Sequence, residues 1–518
     1  MINENKKAVK TVSLIIFFTA FSKILGLLRD MLMAYFYGGS AENAAFATAS
    51  RIPRDVFDIF LGAAILGVFI PVYNSFNSNN EKQRDEFANI FLNIIILATG
   101  LIAFLGIIFS KNIINFITPG YDETTAELAA NLLTVLFPMI IFTGAVYTLT
   151  GILQSKGQFF APALVSAVSN LGVIIYFLFL NKYFQIYGLG WVYLISWAIQ
   201  LFTLIIPLTR KKYKYKYKFI INFKNPEFIK SIKMSLPIMA GSWLIPAVML
   251  IGQHFLSISN HPDFYVSAFD YSTKIFLLAT GILTYSICNY IFPKLAQNAN
   301  NSEEFVKIVK TGLSSACFII APVAIIAFTL REEIVAVLFM RGEFTYGLAE
   351  QTAKAFFMLA PCMIVYSVIE ILNRVFYSKK LVMIPMLASV SGIAVIFIWC
   401  KFIISGTTPR EITLAVLICQ IVTAAILIIA LSIKIKEIFN KNFLANIGKI
   451  VLSSGILLII IKILYYIIKN NAFDSSILRN ILTAVIIAVA GVCFYAGANL
   501  ILKTEEAETF IKMIRKDK

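Results

Sequence analysis

The stretch FSKILGLLRDMLMAYFYGG, residues 21–39, sets Lys23, Arg29 and Asp30 into an otherwise apolar run. One charge at the centre of a bilayer costs about 2.5–3.5 kcal/mol on insertion scales, so three on a lipid-facing helix would forfeit roughly 8–10 kcal/mol. These side chains must therefore face protein or water. Arg29 and Asp30 are adjacent and Lys23 lies seven residues before Asp30, so none forms an i,i+3 or i,i+4 pair along the helix. Their partners are expected on other helices or on a ligand. In ASRIPRDVFDIFLGAA, Arg51, Arg54, Asp55 and Asp58 stand at i, i+3, i+4 and i+7, all on one helical face, with Arg51–Asp55 and Arg54–Asp58 at pairing spacing. That stripe reads either as a polar seam against a neighbouring helix or as a ligand contact. Lys274 follows Asp270 by four residues in SAFDYSTKIF and carries the same two readings, while Glu370 and Arg374, also four apart, read as structure or gating. A cavity lined by surplus cations binds an anion, and guanidinium forks suit phosphate. Asp30 would orient Arg29 and keep its grip releasable.

The elements that must position these groups follow from hydropathy. Of 518 residues 59% are hydrophobic, and the mean hydropathy is +0.81. This is the composition of an all-α integral membrane protein. About fourteen runs approach the roughly 20 residues that cross a ~30 Å hydrocarbon layer. They fall near 11–37, 43–73, 87–110, 125–153, 160–181, 187–209, 229–257, 264–293, 304–330, 345–377, 381–403, 411–433, 446–468 and 480–502. No gap is long enough for a soluble domain. The basic start NENKKAVK precedes a charge-interrupted run without a small-residue cleavage site, which reads as a retained first helix. Gaps such as GGSAEN and ISNHPD are poor in Lys and Arg, whereas NEKQRDE, RKKYKYKYK and KIKEIFNKN are rich in them. The positive-inside rule then puts both termini in the cytoplasm. The net charge of +17 reads as this bias, with some attraction to anionic lipid headgroups, and no nucleic-acid partner is expected.

Other chemistries find little support. The six cysteines all lie in apolar runs without CxxC spacing, and His254 and His261 lack companions at ligand spacing, so no metal and no disulfide is expected. There is no Gly-rich phosphate loop of Walker type, no Ser, His and acid arrangement, and no large loop to carry one. No catalytic residue and no cofactor is expected; the chain reads as a transporter rather than an enzyme.

Two motifs recur six spans apart. VYTLTGILQ (146–154) matches VYSVIEILN (365–373), and SRIP with FIPVY in the second span matches TKIF with IFPKL in the eighth. An even number of spans per copy makes the repeats parallel, two six-helix lobes around a central cavity. The expected division is 1–209, a basic linker 210–228, 229–433, two extra helices within 434–503 and a tail 504–518. With the N-terminus inside, Arg29, Arg51 and Lys274 fall in the outward halves of their spans, at comparable depth. Snorkelling to the outer headgroups is the competing reading.

Taken in order, SKILGLLRD, FIPVYNSF, GILQSKGQFFAPAL, YSTKIFLLATGIL with IFPKL, LFMRGEFT and ILNRVFYS resemble the MurJ (MviN) lipid II flippases of the multidrug/oligosaccharidyl-lipid/polysaccharide exporter superfamily, over nearly the whole chain. The resemblance implies a bacterial inner-membrane flippase that moves lipid II, a polyprenyl-diphosphate peptidoglycan precursor, to the outer leaflet by alternating access. It also implies a lipid-tail groove formed by the last two spans, and cell-wall synthesis proteins as further partners. The family's basic positions fall on Lys23, Arg29 and Lys274, with Asp30 completing the first motif. Arg51 or Arg54 would assist. Departures stand beside these: Phe57 and Asp58 occupy the places of the family's paired arginines, Gly62-Ala63 that of its Glu-Gly step, and Asn43 or Ala44 that of an acidic residue. The family's sodium site in spans seven, eleven and twelve is not carried over, because those apolar segments lack acids. A flippase for another lipid-linked oligosaccharide and a cation-coupled drug exporter are the transport alternatives; a membrane glycosyltransferase would need catalytic loops that are missing.

Overall fold

The computed structural model describes residues 2–62, 68–76, 80–209, 215–404, 406–435, 437–468, 472–473 and 476–509. Ala63, linker residues 210–214 and tail residues 510–518 lie outside them. Among the described residues all regular structure is helical. The chain forms two compact units, Met1–Ile258 and Ser259–Lys518.

In the first unit α1 (Ile2–Tyr37) turns into α2 (Ala41–Phe57) at Gly38, whose φ of 45° suits a residue without a Cβ. Ser40 caps α2 by accepting from Asn43 N–H, and the helix continues through a π turn, Asp58–Gly62, before α3 (Ile70–Ser75). Then follow α4 (Glu81–Ile108), α5 (Ser110–Ile117), α6 (Glu123–Leu136), α7 (Met139–Ser155), α8 (Phe160–Ile175), α9 (Asn181–Leu208), α10 (Pro226–Ser242) and α11 (Leu244–Ser257). Pro138, which lacks an N–H and crowds the preceding turn, separates α6 from α7 at a 40° bend. Phe69 anchors the core near the α3 end, its ring centre 5.6 Å from that of Phe87 and 4.7 Å from that of Phe91.

The second unit holds α12 (Pro262–Gln297), α13 (Ser302–Thr329), α14 (Arg331–Phe339), α15 (Tyr346–Ser378), α16 (Met383–Ile398), α17 (Pro409–Lys434), α18 (Lys441–Ile468) and α19 (Ile477–Leu502). Thr408 and Glu411 close a reciprocal capping box at the start of α17. The breaks repeat those of the first unit. Both α4 and α13 run 28 residues, stop at one residue, and are followed by a short helix, α5 or α14. Both α8 and α16 run 16 residues into a five-residue π turn, Tyr176–Leu180 or Trp399–Ile403. Sequence reading placed only loops where α5 and α14 stand, because an eight- or nine-residue helix is too short to leave a membrane-span signal.

Nine helical stretches are long and apolar enough to cross a membrane among the described residues, or ten with the bent α6–α7 pair, against the fourteen runs expected. One of the nine, Phe160–Leu208, covers two expected spans and is kinked at Gln185, with φ 48° and ψ −144°. Charges in α1 and α2, and the breaks after Phe57 and at Trp243, dilute or divide the first, second and seventh spans. The seventh, α10 with α11, clusters with the first unit: Trp243 Nε1 donates to Ile59 O at 2.7 Å, and Gln253 Nε2 donates to Thr48 Oγ1.

Candidate functional site

The helix that carries the opening motif packs on α8 through small and polar groups. Ser22 Oγ donates to Ala163 O at 3.3 Å, Asn170 Nδ2 donates to Ser22 O at 3.2 Å, and a Cβ on Gly26 would come 3.3 Å from that same amide nitrogen. This close approach delivers Asn170 to Arg29. The Arg29 Nη1 donates to Asn170 Oδ1 at 3.0 Å, while Nε and Nη2 donate to Asp30 Oδ1 at 3.2 and 2.9 Å. The Arg29 guanidinium carbon also lies 5.8 Å from the Tyr193 ring centre on α9. The expectation of partners away from α1 is thus met by Asn170 and corrected by Asp30. Adjacent helical residues project apart, but a long guanidinium side chain curls back across the gap to the next carboxylate. Lys23 is exposed, and no hydrogen bond or ion pair is found for it among the described residues.

On α2 the stripe is buried unequally. Arg51 and Asp55 are each 5% exposed, whereas the Arg54 side chain is 51% exposed, with Nε 3.7 Å from Asp55 Oδ1. The i,i+4 spacing favoured Asp58 for Arg54. Asp58 keeps the α-helical register, its N–H donating to Arg54 O, but it opens the π turn and its carboxylate lies over Gly62, whose added Cβ would come 2.9 Å from Asp58 Oδ1. Phe57, at a departed arginine position, is fully buried with its ring centre 5.2 Å from that of Tyr147. Asn43 and Ala44 are fully buried as well.

In the second unit Lys274 Nζ lies 2.7 Å from Asp270 Oδ2 and 4.8 Å from the Tyr271 ring centre. The carboxylate is the buried member: side-chain exposure is 8% for Asp270 and 26% for Lys274. Further along, Arg374 Nη1 meets Glu370 Oε2 at 2.5 Å, and its guanidinium carbon stands 5.9 Å from the Tyr285 ring centre. Tyr285 OH in turn lies 3.3 Å from Tyr366 OH, tying α12 to α15.

Sequence reasoning missed Asn170, the amide that holds Arg29 across helices. An amide inside an apolar run was the available signal, since a buried amide needs partners. The two sets of charged groups can do one kind of chemistry: cations held in fixed orientation by carboxylates, amides and rings attract anionic groups.

Known proteins resemble this chain over most of its length. A family model described as lipid II flippase MurJ matches residues 33–495. A probable lipid II flippase MurJ of Buchnera aphidicola subsp. Schizaphis graminum is 30% identical over 383 residues, 72% of this chain and 73% of that one. Its counterpart in Thermotoga maritima is 25% identical over 505 residues, covering 95% and 96% of the two chains. Among solved structures, lipid II flippase MurJ in an inward closed conformation superposes with a TM-score of 0.73 at 24% identity, over 94% of this chain and 99% of that one. An inward-facing multidrug transporter of the MATE family, in the MOP superfamily, gives 0.64 at 15% identity over 80% and 95%.

Proposed function

We propose a mechanism on one premise: this chain belongs to the lipid II flippase MurJ family. Its function is to carry lipid II across the membrane, from the cytoplasmic to the outer leaflet. Lys23 and Arg29 in the first unit and Lys274 in the second bind the acids of the cargo, the diphosphate above all. Asp30 and Asn170 hold Arg29 in its binding orientation, and Asp270 does the same for Lys274. Arg54, half exposed on α2, assists, while Arg51 and Asp55 serve the packing of that helix. Glu370 and Arg374 act in structure or gating of the second unit. The observation that carries the reading is Arg29: a guanidinium within an apolar helix, fixed by a carboxylate and an amide.

The termini lie on the cytoplasmic side of the bacterial inner membrane, supported by the basic gaps RKKYKYKYK and KIKEIFNKN. The pair α18 and α19 receives the polyprenyl tail, and cell-wall synthesis proteins take the cargo on the far side. Moving one negative charge outward from a negative interior gains about 2.3 kcal/mol per 100 mV, which favours export of a diphosphate. Lys23, Arg29 and Lys274 are replaced singly by Ala in a host depleted of its own flippase, and lipid II exposed on the outer leaflet is measured. Loss of exposure is expected for each; wild-type exposure in all three removes the assignment.

A further inference from the structure

Two buried amides on one apolar helix take no part in the cargo site. Asn89 and Asn93, each 2% exposed, stand one turn apart on α4. Both are fully engaged. Asn89 Nδ2 donates to Lys216 O at 3.1 Å, and its Oδ1 accepts from the Tyr215 hydroxyl at 2.8 Å and from Lys218 N–H at 3.2 Å. Asn93 Nδ2 donates to Lys218 O and Ile220 O at 3.0 and 3.1 Å, and its Oδ1 accepts from the Tyr217 hydroxyl at 2.8 Å. The chain after α9 is thereby laid along α4 as an extended strap.

That strap borders a half-open cavity of about 380 Å³, within the roughly 300–1,000 Å³ range of ligand sites. Leu92, Ile96, Leu149, Leu201, Tyr215 and Tyr217 line it. With their hydroxyls committed to the asparagines, the tyrosines offer carbon to an interior that, apart from Thr209, is otherwise aliphatic. Such a space takes a hydrocarbon chain. The rim has the opposite character. Side chains alternate in an extended segment, and Lys216 and Lys218 alternate with the tyrosines and are exposed. Hydrocarbon below and the exposed ammonium groups of Lys216 and Lys218 above match one class of molecule in a membrane, an anionic lipid.

We propose that this cavity holds an acyl chain of an anionic glycerophospholipid of the surrounding bilayer, with its phosphate at Lys216 and Lys218. The lipid stabilises the strap, and the site is separate from the groups assigned to the cargo. Each lysine near an anionic lipid surface is worth roughly fivefold in affinity.

The test uses the full chain in detergent, with retained lipid counted by native mass spectrometry. Phosphatidylglycerol and phosphatidylcholine of identical acyl chains are compared, and hydrogen exchange is followed over residues 215–220. Retention of phosphatidylglycerol is expected to exceed that of phosphatidylcholine by about tenfold or more, with slower exchange in the strap. In the double variant Lys216→Gln/Lys218→Gln the ratio is expected to fall near one. Leu149→Trp fills the cavity and should abolish retention. Leu201→Trp fills it from α9 and gives the same readout if the first variant does not fold. Equal retention of the two lipids by the wild type, or undiminished phosphatidylglycerol in a folded tryptophan variant, overturns the proposal. Displacement of phosphatidylglycerol by an equimolar polyprenyl phosphate overturns it too, and would assign the cavity to isoprenoid. Lipid II exposure is measured alongside: its loss in the Lys23, Arg29 and Lys274 variants concerns the cargo site and leaves this result untouched.

Discussion

Arg51 on α2 and Lys274 on α12 occupy matching places in the repeat, within SRIP and TKIF, yet they are embedded differently. Arg51 is buried, with an equally buried Asp55 one turn after it; Lys274 keeps a quarter of its side chain open, and the acid one turn before it is the buried partner. A buried charge that loses its partner or its solvation is costly, whereas a half-open one can exchange its neighbour for a ligand. The same repeat position is thus sealed in one unit and left partly open in the other. The contrast extends along the chain. Where α4 carries Asn89 and Asn93 to hold the strap, the equivalent turns of α13 carry Lys310 and Ser314, and Ser314 Oγ donates to Lys310 O of its own helix at 3.0 Å. Where α15 carries the Glu370–Arg374 pair, the matching motif in α7 has Gly151, against which Phe69 packs so closely that a Cβ would come within 3.0 Å.

Arg51→Ala should test the contrast most severely. Removing one of two buried opposite charges costs about 3–5 kcal/mol, seen as a large fall in melting temperature in detergent. Removing Asp55 as well should restore part of it; a mild single variant would mean that Arg51 is no more embedded than Lys274. Asn93→Leu deletes three hydrogen bonds and should cost about 1.5–4.5 kcal/mol, at about 0.5–1.5 kcal/mol each. The effect should appear as faster hydrogen exchange over residues 215–220, whereas Ser314→Ala should change exchange little in the second unit. Lys274→Gln, which removes the charge but keeps a donor beside the buried Asp270, should lower stability by only about 1 kcal/mol while abolishing lipid II exposure. A Lys274→Gln protein that melts as low as Arg51→Ala would erase the distinction between the helices.

The smallest effect concerns the caps of α6 and α15. Asp122 precedes α6, and hydrogen bonds from Thr124 and Thr125 hold its carboxyl below the usual range; Thr345 caps α15 through Leu348 N–H and does not titrate. A depressed folded pKa contributes stability that is present above the unfolded value of about 3.9 and is lost as pH falls through the folded value. Acidification below about pH 4 should therefore loosen residues 123–126 but leave 346–349 unchanged, as read by pH-corrected hydrogen exchange. Equal loosening at both ends would assign the change to global unfolding.

Much of this was legible beforehand. Hydropathy marked the long helices, and the motif pairs 146–154/365–373 and SRIP/TKIF pointed to a duplication, though not to the breaks that recur in it. The spacing Asp270–Lys274 and Glu370–Arg374 named two ion pairs that form as read. Those pairs lie within single helices, where 3.6 residues per turn fixes the geometry. Arg54 departed from its spacing: its Nε lies 3.7 Å from the adjacent Asp55, while the Asp58 carboxylate lies over Gly62 in a π turn that no propensity in DIFLG announces. The strap was invisible for a related reason: RKKYKYKYK reads as a charged linker, and only the asparagines of another helix give its tyrosines a place.

By itself the sequence determined that this chain is a helical membrane protein built on a duplicated plan, and that several of its charges require company in an apolar setting. Those conclusions rest on burial cost and helical periodicity, which act between near neighbours in the chain. Tertiary structure decided which company each charge keeps. Arg29 finds Asn170 across 141 positions of chain, and Asn93 finds Lys218 across 125. Contacts of that kind depend on the rotation and offset of packed helices, quantities set by the interlocking of side chains such as Gly26 against Asn170, to which hydropathy is blind.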